Sequence, residues 1–295
     1  MINLRLQYPG MFQKILVPTD FSKHSQHILE CITELSSQKD VVLLHVIQRS
    51  PLSRAWDPAS EVEKANEMIE KQKLYLQSLR FNVKTRVETI MEGDISKVIQ
   101  KVADEENATL IAMGARGKGM VSGLLLGSVS KNVLLYGQTN LLLMRYKILE
   151  GENLGRFCRS LFTRVICPTD FSLPAKEVID SVSTIKGVGE IGLQHVVASG
   201  ESDQQIDAAV RDAAGKLNDI AREIEKPDLK VRVHVQAGNA PEEISRLADR
   251  EDASLIAMSS HGKGWVEQMT VGSTTYETAR ISNRPILVVR AEKKA

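Results

Sequence analysis

The stretch Gly114-Ala115-Arg116-Gly117, followed after nine residues by Gly127-Ser128, has the residue types and spacing to hold an anion. Glycines at 114, 117, 119 and 123 let the backbone approach a ligand where a Cβ would obstruct it, so the loop can wrap a ribose and its phosphates. Gly127-Ser128 opens a helix. Its free N–H groups and positive dipole end favour a phosphate; the hydroxyls of Ser128 and Ser130 add donors, and Arg116 supplies a cation. Two familiar phosphate-binding patterns are excluded by spacing. The pattern G-x-x-x-x-G-K-[ST] fails because Lys118 is followed by Gly119, and G-x-G-x-x-G started at Gly117 meets Ser122 where its last glycine belongs. The same glycines are also compatible with tight turns that only pack helix against sheet.

The elements that position this loop are read from an internal repeat. KILVPTDFS at 14–22 matches RVICPTDFS at 164–172, LLHVI at 43–47 matches LQHVV at 193–197, and TLIAMGARGKG at 109–119 matches SLIAMSSHGKG at 254–264. In the first copy, apolar runs at 13–18, 41–47, 109–113 and 140–145 read as buried strands, and an alternating segment at 82–90 as a further one. Stretches of helical length lie near 22–37, 60–80, 95–106 and 127–137. The second copy places strands near 163–168, 189–197, 228–236, 254–258 and 285–290. Strands alternating with helices imply an α/β fold with a parallel sheet covered on both faces. Its ligands collect beyond the carboxyl ends of the strands, where the strand order reverses. Asp20 and Asp170 close the first strand of each copy and His45 and His195 the second. The aspartates also suit helix capping, alone or with Ser22. The histidines read as satisfied strand ends with no proton transfer assigned, and His24 with His27 as a solvated helix face.

At 295 residues the chain implies two domains with separate cores, taken as 1–147 and 162–295 with a linker at 148–161. A hydrophobic fraction of 42% with 25% charged residues suits a globular protein, and no apolar run is long enough to cross a bilayer. The net charge of +1 leaves no basic excess for a phosphate backbone, so neither nucleic acid nor membrane is expected as a partner. Cys31, Cys158 and Cys167 form no C-x-x-C pair and no even framework; they read as buried bystanders in a reducing cytoplasm.

The strand end PTDFS, the second strand end HV and the loop G-x2-G-x9-G-S resemble the universal stress protein family, over about residues 12–145 and 162–290. The resemblance implies two tandem Rossmann-like domains of the adenine nucleotide alpha hydrolase-like kind, each a five-stranded parallel sheet with helices on both faces. It implies adenine nucleotide (ATP, ADP or AMP) as ligand, with Mg²⁺ or Mn²⁺ only as a companion of the phosphates. By similarity, Asp20 with its neighbours Pro18 and Thr19 meets the nucleoside, backbone near Val46 meets the base beside Met113, and Gly114, Gly117, Gly127, Ser128, Val129 and Ser130 hold ribose and phosphates. In the second copy the matching positions are Asp170, Val196, Gly262, Gly272, Ser273 and Thr275. There Ser259 replaces the first glycine, and a weaker second site is expected. The resemblance further implies a nucleotide-dependent regulator with a protein partner the sequence does not name, and at most weak hydrolysis of ATP. A nucleotide-independent chaperone-like module is the competing class. The apolar last strands are expected to pair within the chain as a pseudo-dimer, leaving room for a homodimer outside it.

Overall fold

The computed structural model describes residues 11–35, 40–49, 57–115, 126–145, 158, 160–198, 202–262 and 271–290. The first half carries strands β1 (Lys14–Pro18), β2 (Asp40–Gln48), β3 (Asn82–Ile90), β4 (Leu110–Gly114) and β5 (Asn140–Met144). The second carries β6 (Arg164–Pro168), β7 (Glu190–Val197), β8 (Lys230–Ala237), β9 (Leu255–Ser259) and β10 (Ile286–Val289). The first-half helices are α1 (Lys23–Leu35), α2 (Pro58–Ser78), α3 (Ile95–Glu105) and α4 (Ser128–Tyr136). Those of the second half are α5 (Leu173–Ser183), α6 (Asp203–Ile224), α7 (Ala240–Arg250) and α8 (Ser273–Ile281). Each expected strand and helix is present, with ends displaced by a few residues. The central strands are buried on both faces, so they read as unbroken apolar runs such as Leu141–Met144 and Ile286–Val289.

Within each half every strand pair is parallel, and the order β3-β2-β1-β4-β5 reverses between β1 and β4. The second half repeats it, with the reversal between β6 and β9. β5 and β10 then pair antiparallel, Leu143 opposite Ile286 and Leu141 opposite Val288. Two five-stranded sheets thereby become one sheet of ten strands. This corrects the expectation of separate cores. Each face of the sheet carries one apolar core that runs through both halves, because the shared seam places side chains of β5 and β10 in common layers. Phe12 and Phe162, equivalent residues of the two halves, meet edge to face at 5.6 Å between centroids.

Two arginines lock the seam. Arg290, just after β10, donates to the carbonyls of Val133 and Leu134 in α4 at 3.1 and 2.7 Å. Arg145, just after β5, donates to the carbonyl of Ala279 in α8. Each thus satisfies late carbonyls of a helix in the opposite half, where a cation also suits the negative end of the helix dipole. Burial lowers the Arg290 guanidinium to about 10, which leaves it charged at neutral pH.

The cysteines also depart from expectation. Cys31 of α1 is bonded to Cys158, close before β6, across 127 residues. The cysteine content therefore gives no argument for a reducing compartment. Cys167 is the buried bystander expected, its thiol pushed up to about 12 by burial. Among the described residues no helix is long and apolar enough to cross a membrane.

Candidate functional site

The crevice begins with a missing hydrogen bond. Thr19 N donates to Leu44 O of β2 at 2.8 Å, so by strand alternation the nitrogen before it faces β4. That nitrogen belongs to Pro18 and has no hydrogen to donate. The β1–β4 ladder accordingly pairs only Ile15 with Leu110 and Leu16 with Ile111, and the strands part beyond. Pro168 acts in the same way between β6 and β9, with Thr169 N on Gln194 O at 2.8 Å. A cavity opens in each half at this point, of about 530 Å³ in the first and about 300 Å³ in the second.

After Pro18 the chain turns through Phe21, whose φ of 60° is left-handed, and Phe171 repeats the turn at 63°. Such a conformation in an aromatic residue persists only where its surroundings hold it. The Phe21 ring lies against the His45 ring at 4.2 Å, and His45 Nδ1 is 2.8 Å from Thr19 O. Because a carbonyl only accepts, Nδ1 carries the hydrogen. Phe171, His195 and Thr169 repeat the brace, at 4.5 and 2.7 Å. The turn sets Asp20 at the cavity wall, where Oδ1 accepts from the Ser22 amide at 3.0 Å and hydroxyl at 2.6 Å. Ser22 Oγ in turn accepts from Ser25 N. Asp20 therefore supports the start of α1 and faces the cavity at once.

Across the cavity stands the N-terminus of α4. Five other helices have side-chain caps: Asp57 on α2, Asp94 on α3, Ser172 on α5, Ser202 on α6 and Asn239 on α7. α4 and α8 begin at Gly127 and Gly272 with no side-chain cap hydrogen bond. Their first amides are left to whatever enters the cavity. Gly127 N on Ala115 O at 2.8 Å, and Ser130 Oγ donating to Gly114 O at 2.8 Å, fix this terminus to the end of β4. The Ser130 hydroxyl hydrogen is thereby committed to backbone. The remaining wall is hydrocarbon, from Leu44, Val46, Ile95, Ile99 and Met113.

The second cavity keeps the frame and changes the lining. Thr275 Oγ1 donates to Ser259 O at 2.9 Å as Ser130 does to Gly114. A Cβ on Gly262 would lie 2.4 Å from Asp170 Oδ2, so only glycine lets this loop rest against the carboxylate. The Ser259 hydroxyl turns to His261 O at 2.6 Å, and Ser260 Oγ is 2.8 Å from His261 Nδ1. Gln194 replaces Leu44, Ala240 replaces Ile95 and Ala175 replaces Ser25.

Pro18, Thr19, Asp20, Val46, Met113, Gly114, Gly127, Ser128, Val129 and Ser130 all line the first cavity. Asp170, Val196, Gly262, Gly272, Ser273 and Thr275 all line the second. Arg116 and Gly117 lie outside the described residues. Sequence reasoning missed the apolar wall of Leu44, Ile95 and Ile99, and also Gln194, Ala240 and His261. Gln194 carried a signal, a polar residue inside the apolar run of β7; the other wall residues did not stand out from core.

A family model described as the universal stress protein family matches residues 11–145 and 161–290. A universal stress protein of Methanocaldococcus jannaschii is 26% identical over 155 residues, which cover 44% of this chain and 96% of that one. A universal stress protein of Mycolicibacterium smegmatis is 25% identical over 300 residues, 94% of this chain and 96% of the relative. The crystal structure of a universal stress protein from Archaeoglobus fulgidus superposes with a TM-score of 0.70 at 27% identity, covering 95% of this chain and 98% of that one.

Proposed function

The chain belongs to the universal stress protein family, and from that premise we propose that it binds adenine nucleotide (ATP, ADP or AMP) between β1 and β4 as a nucleotide-dependent regulator. One observation carries the reading: the helix N-terminus facing the crevice has no side-chain cap, while α2, α3, α5, α6 and α7 have one. In this reading the amides of Ser128, Val129 and Ser130 take the phosphates, where the helix dipole favours negative charge. Asp20 accepts from the ribose hydroxyls, and the hydrocarbon wall around Val46 and Met113 encloses the base. Among the described residues no group of three His, Cys, Asp or Glu could hold a metal ion, so Mg²⁺ or Mn²⁺ rides on the phosphates. Occupancy favours whichever arrangement of the glycine loop binds more tightly, and a protein partner reads that arrangement. A homodimer has to form outside the seam, since β5 and β10 each have a neighbour on both sides.

The test is isothermal calorimetry with ATP, ADP and AMP on the full chain, together with Ser128→Asp. A carboxylate at the helix start opposes the phosphates, and at least a tenfold loss of affinity is expected, about 1.4 kcal/mol. Amide spectra of residues 127–130 left unmoved by all three nucleotides at millimolar concentration overturn the reading.

A further inference from the structure

A continuous set of hydrogen bonds runs from each cavity across the seam to the other. From the second cavity it starts at Gly272, which lines that cavity just before α8 and donates its amide to Ser260 O at 2.7 Å. The Ser260 amide donates to Val289 O at 2.8 Å. Arg290 N, the other end of that same peptide group, donates to Asn140 Oδ1 of β5 at 2.8 Å. The Val289–Arg290 peptide is therefore held from both halves. The Arg290 guanidinium then donates to Val133 O and Leu134 O of α4 at 3.1 and 2.7 Å. From there α4, nine residues and about 13 Å long, leads to its N-terminus in the first cavity. The return path repeats these links. Gly127 N donates to Ala115 O and Ala115 N to Met144 O, each at 2.8 Å, and Arg145, the next residue, donates to Ala279 O of α8.

Holding the halves together does not require these paths, since the β5–β10 ladder and the two shared cores already do so. What the arginines add is a link between the two crevice helices, each left without a side-chain cap at its first turn and given a donor at its last turn by the opposite half. The link is stiff. Arg145 is 6% exposed, and a buried guanidinium that loses its acceptor is costly, so a helix that shifts has to carry its arginine along. We propose that the two cavities bind nucleotide cooperatively through these paths, ligand in one raising the affinity of the other. This inference rests on the nucleotide reading above. Phosphates on the free amides of α4 fix that helix; Leu134 O, Arg290 and the Val289–Arg290 peptide pass the constraint to Ser260 and Gly272, where α8 begins. The second ligand then meets a helix start already in place and loses less freedom in ordering it.

Met113 lines the first cavity and Met258 the second, so methionine methyl NMR with ATP reads each site separately in the intact chain. Ser273→Asp opposes phosphates at α8 as Ser128→Asp does at α4, so the two variants give the affinity of each cavity while the other stays empty. In the wild type the product of the two binding constants is expected to exceed the product of those single-cavity constants by about fivefold or more. Reciprocity requires the same factor at either methyl. Arg145→Met and Arg290→Met each lower the factor, and together they bring it to one. A factor of one or less in the wild type overturns the proposal without any arginine variant, as does a factor that survives in the folded double variant. ATP that moves one methyl and leaves the other still also overturns it, because one cavity is then no nucleotide site. If neither methyl moves, the nucleotide reading itself has failed and this inference falls with it.

Discussion

The two halves share features of backbone and differ in features of side chain. Both keep the proline that ends the ladder, the left-handed phenylalanine with its histidine brace, and a crevice helix without a side-chain cap. A left-handed non-glycine residue costs on the order of 1 kcal/mol, and each half keeps one at this turn, Phe21 and Phe171. Yet the lining has drifted at Leu44 and Gln194, Ile95 and Ala240, Ser25 and Ala175, Gly114 and Ser259, and the volume falls from about 530 to about 300 Å³. The comparison teaches that the crevice is a property of chain path, while the choice of ligand lies in a few wall positions that can change without disturbing that path.

The largest expected effect comes from removing the seam that makes the two halves one body. Leu143 is 1% exposed and opposite Ile286, so Leu143→Asp buries a carboxylate with no partner. Unpaired charge in a core is among the few changes that cost on the order of 4 kcal/mol or more. Two melting transitions and an expanded scattering profile are expected in place of a single compact species. If compactness and the single transition both survive, the halves are held by something other than this strand pair.

A smaller effect sharpens the comparison by crossing it. Arg290 belongs to the second half by sequence and anchors α4, the helix that opens the first crevice; Arg145 does the reverse for α8. Arg290→Met keeps much of the buried hydrocarbon and loses the donors, leaving the Leu134 carbonyl of α4 unsatisfied while Val133 O keeps the Gly137 amide. A loss of roughly 2 kcal/mol is expected. In hydrogen exchange the amides of α4 should open faster while those of α8 stay as in wild type, and Arg145→Met should show the mirror pattern. Equal acceleration of both helices in either variant contradicts the assignment of each arginine to the opposite half.

The sequence made some of this legible and hid the rest for physical reasons. Parallel strands buried on both faces must be apolar throughout, so β4 and β5 stand out as runs; prolines, aspartates and glycines mark where those runs stop, and those of them that are described line the two cavities. Contacts fixed by distant chain segments leave no local trace. The bond between Cys31 and Cys158 spans 127 residues, and nothing in the spacing of three cysteines signals it. The Gln194 amide finds its acceptor in Glu243, 49 residues on. Arg145 and Arg290 look like ordinary charged strand ends until the antiparallel seam carries them over to the other half.

The smallest effect compares the opposite edge of the sheet, where strands begin and no ligand is expected. In the first half Glu106 is 5% exposed and faces Lys84 at 2.6 Å, Arg86 at 3.1 Å and Lys14 at 3.2 Å. In the second, Glu251 meets Arg232 at 3.3 Å and Arg250 at 3.4 Å, with His234 at the register position of Arg86. Hydrogen bonding from Lys84, opposed by burial and helped by Lys14 and Arg86, lowers the Glu106 carboxyl from 4.5 to about 2. A depressed carboxyl stabilises the fold fully above its unfolded value. As pH drops below 4.5 the unfolded chain takes up the proton first, and the contribution is lost until the folded group titrates near 2. Lys14 and Lys84 are 32% and 58% exposed, so solvent screening trims the total to on the order of 2 kcal/mol. Glu106→Gln should therefore be less stable than wild type at pH 7 by that amount and close to it at pH 2, read as the difference between urea midpoints across the range. A difference that stays constant with pH means the carboxylate is not held by these cations.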